Sequence, residues 1–201
     1  MLTADGVPVL MHDETVDRTT DGCGSLAELE WAAVARLDAG VRFHPAWAGE
    51  PVPRLVDALV LCAALGLAVN LEIKPAAGHE ERTGRVVAET LARSCPAGLS
   101  LVLSSFSPAA LGAAAEAGGP WPRALLVESI PGDWPARLRS LGCTALHARA
   151  ADLSRFQVEA LRGAGVPVAA YTVNSAEEAR RCFDLGVIAL FTDRLDRLGR
   201  D

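Results

Sequence analysis

From residue 56 onward the chain repeats one pattern, a short apolar run followed by an amphipathic stretch, at intervals of about 25 residues. The apolar runs fall at residues 68–74, 100–106, 124–128, 145–148, 166–173 and 187–192. They are too brief for helices and mostly apolar on both faces, as parallel strands covered on both sides must be. Helical patterns separate them, at 55–65 before the first run and then at 80–93, 108–117, 134–141, 154–164 and 175–185. Ser107 with Pro108, and residues 174–177, offer N-caps; Gly66, Gly118, Gly142, Gly165 and Gly186 stop the preceding helices.

Such βα units imply an α/β fold, either a barrel or a doubly wound sheet. No G-x-G-x-x-G follows any strand and no G-x-x-x-x-G-K occurs, which disfavours dinucleotide and P-loop sites and favours a TIM (β/α)8 barrel. Polar residues gather where a barrel carries its chemistry, at the C-terminal ends of strands: Glu72 and Lys74, Ser104 and Ser105, Glu128, His147, Tyr171 and Asn174, Thr192 and Asp193. Six strands do not close an eight-stranded barrel, and 201 residues fall short of the roughly 250 typical of one. The expected fold is therefore a barrel truncated at its N-terminus, with about six of eight strands remaining.

The first 55 residues differ. Asp5-Gly6 marks a turn, residues 7–11 alternate like a strand, 12–24 form a polar loop, and 26–37 read as a short helix. Residues 38–55, with three prolines and two aromatics, read as an insertion at the barrel mouth.

Composition narrows the partners. With 19 basic against 25 acidic residues the net charge is −6, which argues against nucleic acid or an anionic membrane; a phosphate must be met by a local site. Lysine occurs once, at Lys74, and tyrosine once, at Tyr171. In so arginine-rich a chain, these survivors suggest a need for their own chemistry. Five cysteines, odd in number and without a C-x-x-C, read mostly as small core residues of a reducing compartment. No apolar run approaches the roughly 18 residues of a membrane span. The N-terminus lacks a signal peptide's pattern, so the expected location is cytoplasmic.

On a strand, Asn70, Glu72 and Lys74 project to one face at period two. Glu72 then suits a hard metal and Lys74 a phosphate, unless the two form a structural ion pair. His12-Asp13 ends the N-terminal hairpin and could present an imidazole as general acid or base, or His12 is simply a surface residue. The spacing of Asp13, Asp17 and Asp21 is not that of a calcium hand. Tyr171 and His147 either line a pocket or pack beneath it.

Taken in order, LTADGVPVLMHDETVDRTTDGCG, LDAG, GEPVPRL, LEIKP, SSF, YTVN and FTD resemble the glycerophosphodiester phosphodiesterase family, particularly its bacterial cytoplasmic type. HD-x4-R-T, E-I-K and Y-T-V-N together are specific, and the match runs over the whole chain. The resemblance implies a TIM barrel that hydrolyses glycerophosphocholine, glycerophosphoethanolamine or similar diesters to sn-glycerol 3-phosphate and an alcohol, with Mg²⁺ or Ca²⁺ as divalent cation. By position it implies that His12 is one of two catalytic histidines, most naturally the acid for the leaving alcohol. Glu72 would be one of three metal carboxylates, Lys74 a phosphate-site lysine, and Tyr171 an aromatic of the substrate pocket. Asp13 and His147 are further candidates.

The family's His-Arg-Gly and Glu-x-Asp strands have no counterpart in this sequence and would fall before Met1. The expectation is thus one phosphodiesterase domain over residues 1–201, incomplete at its N-terminus, with residues 7–55 as hairpin and insertion. As written, the chain should bind metal poorly, hydrolyse little, and expose strand edges that pair with a second chain, a homo-oligomer among the outcomes. Two alternatives stand beside this: a non-catalytic remnant that binds a phosphodiester or a partner, and a different phosphate-binding barrel of isomerase or aldolase type using Lys74.

Overall fold

Every apolar run in the repeating part becomes a strand, and every amphipathic stretch between runs becomes a helix. In the computed structural model, which describes residues 1–198, the order is α1 (Trp31–Val34), α2 (Leu55–Ala64), β1 (Val69–Glu72), α3 (Glu80–Ser94), β2 (Leu101–Ser105), α4 (Pro108–Ala117) and β3 (Arg123–Val127). Then follow α5 (Trp134–Leu141), β4 (Ala145–Arg149), α6 (Arg155–Gly163), β5 (Val168–Tyr171), α7 (Ala176–Leu185), β6 (Ala189–Leu190) and α8 (Leu195–Leu198). The fold is α/β of the barrel class, with six strands where a closed barrel has eight. The described residues form two units, 1–101 with 109–120, and 102–108 with 121–198.

Helix ends follow local chemistry. Gly142 after α5 and Gly186 after α7 take left-handed φ values of 58° and 98°, which side chains with a Cβ avoid. At the start of α6, Ser154 Oγ accepts the Gln157 amide while Gln157 Oε1 accepts the Ser154 amide, a reciprocal cap. Gln157 is the only glutamine in the chain.

In the second unit β2 to β6 lie side by side, all parallel and in sequence order. With no reversal of strand order there is no switch point of the doubly wound kind. The register aligns Leu126, His147 and Ala169 across β3, β4 and β5. Leu146, Ala148, Val168 and Ala170 face one way and bury against Val158 and Leu161 of α6 and Cys182 of α7. By the pleat, His147, Ala169 and Tyr171 face the other way. His147 is the middle residue of β4, not its end, whereas Tyr171 does end β5.

The first unit has its own core of Met1, Val9, Val16, Leu26, Val34 and Val52. Residues 7–11, expected as a strand, make only single antiparallel bridges, Leu2 with Pro8 and Val9 with Arg54. They are nonetheless held on both sides: the Val9 amide donates to Met1 O, and those of Leu10 and Leu55 to Pro53 O and Pro8 O. The helix expected over 26–37 is broken into a 3₁₀ turn, Leu26–Glu28, and the single turn of α1. Leu29 and Glu30 between them are extended, because the Trp31 amide is taken by Asp5 Oδ1 at 2.9 Å. Within this unit α3 and α4 pack so closely that a Cβ on Gly84 would sit 2.1 Å from Ala110 O.

Only two of the five cysteines, Cys143 and Cys182, are buried, so the reading of most of them as core residues does not hold. All five are free thiols. No helix among the described residues is long and apolar enough to cross a membrane.

Candidate active site

The polar loop of residues 12–24 is not an open excursion. Val16 and Thr20 are fully buried, the Val16 amide donates to Gly24 O, and Thr20 Oγ1 donates back to Val16 O at 2.7 Å. Between those anchors Arg18 is turned back toward the start of the loop. Its Nε donates to Asp13 Oδ2 and its Nη2 to Asp13 Oδ1, at 2.5 and 2.9 Å. Asp13 Oδ1 also meets His12 Nδ1 at 2.7 Å. The Arg18 guanidinium, and after it the His12 contact, holds the Asp13 carboxyl well below the usual carboxylate range.

His12 lines a cavity of about 470 Å³ within the first unit. Asn70 and Glu72 reach the same cavity from β1, and Thr19 reaches it from the loop. Most of the remaining wall is apolar, including Met11, Val52, Leu55 and Leu71. Along β1 and just past it, burial alternates: Leu71 and Ile73 are buried, while Asn70 and Glu72 are exposed. The strand ends at Glu72, and Lys74, half-buried before Pro75, is not part of the wall. The alternative of a structural Glu72–Lys74 ion pair is not realised, because neither residue forms an ion pair among the described residues.

A carboxylate without an ion-pair partner beside a cavity suits a hard cation, but one carboxylate is not a centre. Among the described residues no three of His, Cys, Asp and Glu converge to hold a metal ion. The described residues therefore do not complete a divalent-cation site.

In the second unit Tyr171 is tied down: its hydroxyl donates to Val127 O at 2.8 Å, and its ring meets Phe106 edge-on at 5.8 Å. The Tyr171–Thr172 peptide bond is cis. His147 is buried, its ring tilted against Phe191 at 5.1 Å, and its Nδ1 has no hydrogen-bond partner among the described residues. Burial pushes its imidazole down to about 4. Ser104 Oγ is likewise buried without a partner. Asn174 is a clasp: its Oδ1 accepts from Thr192 Oγ1 and the Asp193 amide, and its Nδ2 donates to Asp193 Oδ2. Glu128, just past β3, pairs with Arg149 at 3.6 Å.

Sequence reasoning named His12, Asp13 and Glu72 and missed Arg18. The signal was within HD-x4-R-T, whose arginine is the residue that grips Asp13. It was not readable, because a contact across an irregular loop leaves no periodicity.

The chain matches the glycerophosphoryl diester phosphodiesterase family over residues 1–197. It is 30% identical over 197 residues to a glycerophosphodiester phosphodiesterase of Caldanaerobacter subterraneus subsp. tengcongensis, covering 96% of this chain and 79% of that protein. Among solved structures, an Oleispira antarctica phosphodiesterase in complex with the product sn-glycerol-3-phosphate superposes with a TM-score of 0.92 at 35% identity, covering 96% of this chain and 78% of that one. A Silicibacter pomeroyi structure with TM-score 0.83 and 24% identity, covering 96% and 77%, shares the fold.

Proposed function

The chain belongs to the glycerophosphoryl diester phosphodiesterase family, and on that premise we propose that its reaction is glycerophosphodiester hydrolysis, with His12 moving the proton; the 201-residue chain by itself, whose described residues do not complete a cation site, should turn over little. The observation that carries this reading is the meeting of His12 and Glu72 on one cavity, with His12 Nδ1 engaged by Asp13. The substrate class follows the relative whose structure holds sn-glycerol-3-phosphate. Glycerophosphocholine and glycerophosphoethanolamine are the head groups proposed.

As the bond between phosphorus and the alcohol oxygen breaks, the proton on His12 Nε2 passes to that oxygen. The alcohol leaves neutral, and the imidazole is left neutral beside the Asp13 carboxylate. Water supplies the new oxygen on phosphorus and releases one proton to solvent, from which Nε2 of His12 is reprotonated, and sn-glycerol 3-phosphate is the product. A divalent cation, Mg²⁺ or Ca²⁺, would supply charge neutralisation at phosphate if one were bound. Glu72 is the described residue suited to contribute one ligand, and no step is assigned through the ion. Lys74 is proposed as a phosphate contact. Tyr171, at the C-terminal end of β5, is proposed as a substrate contact, that end being where barrel enzymes carry their chemistry. His147 reads better as an interior residue than as a substrate contact, since it is buried at mid-strand. We place the protein in the cytoplasm on its five unpaired thiols.

The test is product identity. Protein isolated from its source cells is incubated with glycerophosphocholine, and the products are resolved by mass. Choline and sn-glycerol 3-phosphate support the proposal; phosphocholine and glycerol, or no turnover, refute it. Trapping of a substrate aldehyde or ketone on Lys74 by borohydride would instead favour the isomerase or aldolase alternative.

A further inference from the structure

We propose that Asp13 and Arg18 are positioning residues that decide which ring nitrogen of His12 exchanges its proton with the substrate. The inference rests on the reading of His12 as the proton-transfer group. The His12 side chain is 77% exposed, so packing alone does not fix its ring. A neutral imidazole left to itself populates both tautomers, and the hydrogen bond made by one nitrogen sets the state of the other.

Here that bond goes to Asp13 Oδ1, and a carboxylate kept ionised can only accept. The proton therefore sits on Nδ1, and Nε2 is the nitrogen left to give or take one. Arg18 contributes direction as well as charge. Its planar fork spans both Asp13 oxygens, which fixes the rotation of the carboxylate and so the line along which Oδ1 meets the imidazole. An exposed ion pair is worth little as stability, so the arrangement is better understood as orientation. The loop supports this, since the buried Val16 and Thr20 on either side of Arg18 fix where its backbone lies.

The tautomer can be read directly by long-range ¹H–¹⁵N NMR of uniformly ¹⁵N-labelled protein above about pH 8, where an ordinary imidazole is neutral. The chain has only four histidines, and His12→Ala identifies the His12 signals. The expected wild-type spectrum shows Nδ1 at a protonated shift and Nε2 at an unprotonated one. Asp13→Asn and Arg18→Gln should move both nitrogens toward averaged values, and Arg18→Lys, which keeps charge but loses the fork, should recover only part of the bias. An Nε2–H tautomer in the wild type, or an Nδ1–H signature unchanged by Asp13→Asn, overturns the proposal. An Arg18→Gln spectrum identical to wild type overturns the part given to Arg18. Because the readout needs no substrate, a biased tautomer without hydrolysis would sink the functional reading and leave this one standing. Hydrolysis without the bias would do the reverse.

Discussion

His147 lies 5% exposed in β4, its Nδ1 unpartnered among the described residues, and burial pushes its imidazole from 6.5 down to about 4. The folded protein thus holds this ring neutral at pH values where the unfolded chain protonates it. With the folded value depressed, stability is complete above about pH 6.5 and drains away as pH falls toward 4. Over that interval the slope is about 1.4 kcal/mol per pH unit, so the whole loss is about 3 kcal/mol. Below about pH 4 both states carry the proton and the contribution stops changing. His147→Leu removes the titration and the orphaned nitrogen while keeping an apolar body against Phe191. Urea unfolding followed by circular dichroism, near neutral pH and again near pH 4, measures the effect; carboxylates titrating over the same range act on both proteins and cancel in the difference. Wild type should lose about 3 kcal/mol more than the variant on acidification. Equal losses in the two proteins would refute the reasoning.

Other consequences are open to simpler measurements. Gly84→Ala gains about 1 kcal/mol of helix propensity but drives a Cβ to 2.1 Å from Ala110 O, so it should be net destabilising by about 1–2 kcal/mol; a raised melting temperature would contradict the close approach of α3 and α4. Asn174→Ala removes three hydrogen bonds at once and should cost about 1–3 kcal/mol, with faster exchange of the Asp193 amide as its local signature. For the 201-residue chain, calorimetric titration with Mg²⁺ or Ca²⁺ should show weak binding that Glu72→Gln abolishes, and tight binding insensitive to that change would remove Glu72 from the ligand set.

The repeating part of the fold was legible because two independent signals coincide there. Period and apolarity mark the strands, and Gly142, Gly186 and Ser154 mark helix ends by backbone and capping chemistry that sequence states directly. The first 55 residues lacked that redundancy. Residues 7–11 alternate as a strand does, yet their amide and carbonyl partners are scattered over Met1, Pro53 and Leu55, so no ladder forms. The break at Leu29 and Glu30 depends on Asp5, 26 residues from the Trp31 amide that it captures, and no local pattern records it. At the site, Asn70 and Glu72 do reach one cavity, as their shared face along β1 leads one to expect. Lys74 stands two residues past the end of β1 and is not among the residues that line that cavity. The grip of Arg18 on Asp13 is a property of a folded loop and became visible only in three dimensions.

The central claim is that His12 carries a proton in glycerophosphodiester hydrolysis. The direct measurement is kcat for release of sn-glycerol 3-phosphate from glycerophosphocholine, comparing wild type with His12→Ala, each produced in the native host. The account predicts turnover by the wild type and a fall of about 10²–10⁴-fold in kcat for the variant, the range that general acid–base catalysis spans. A variant that turns over at the wild-type rate would contradict it.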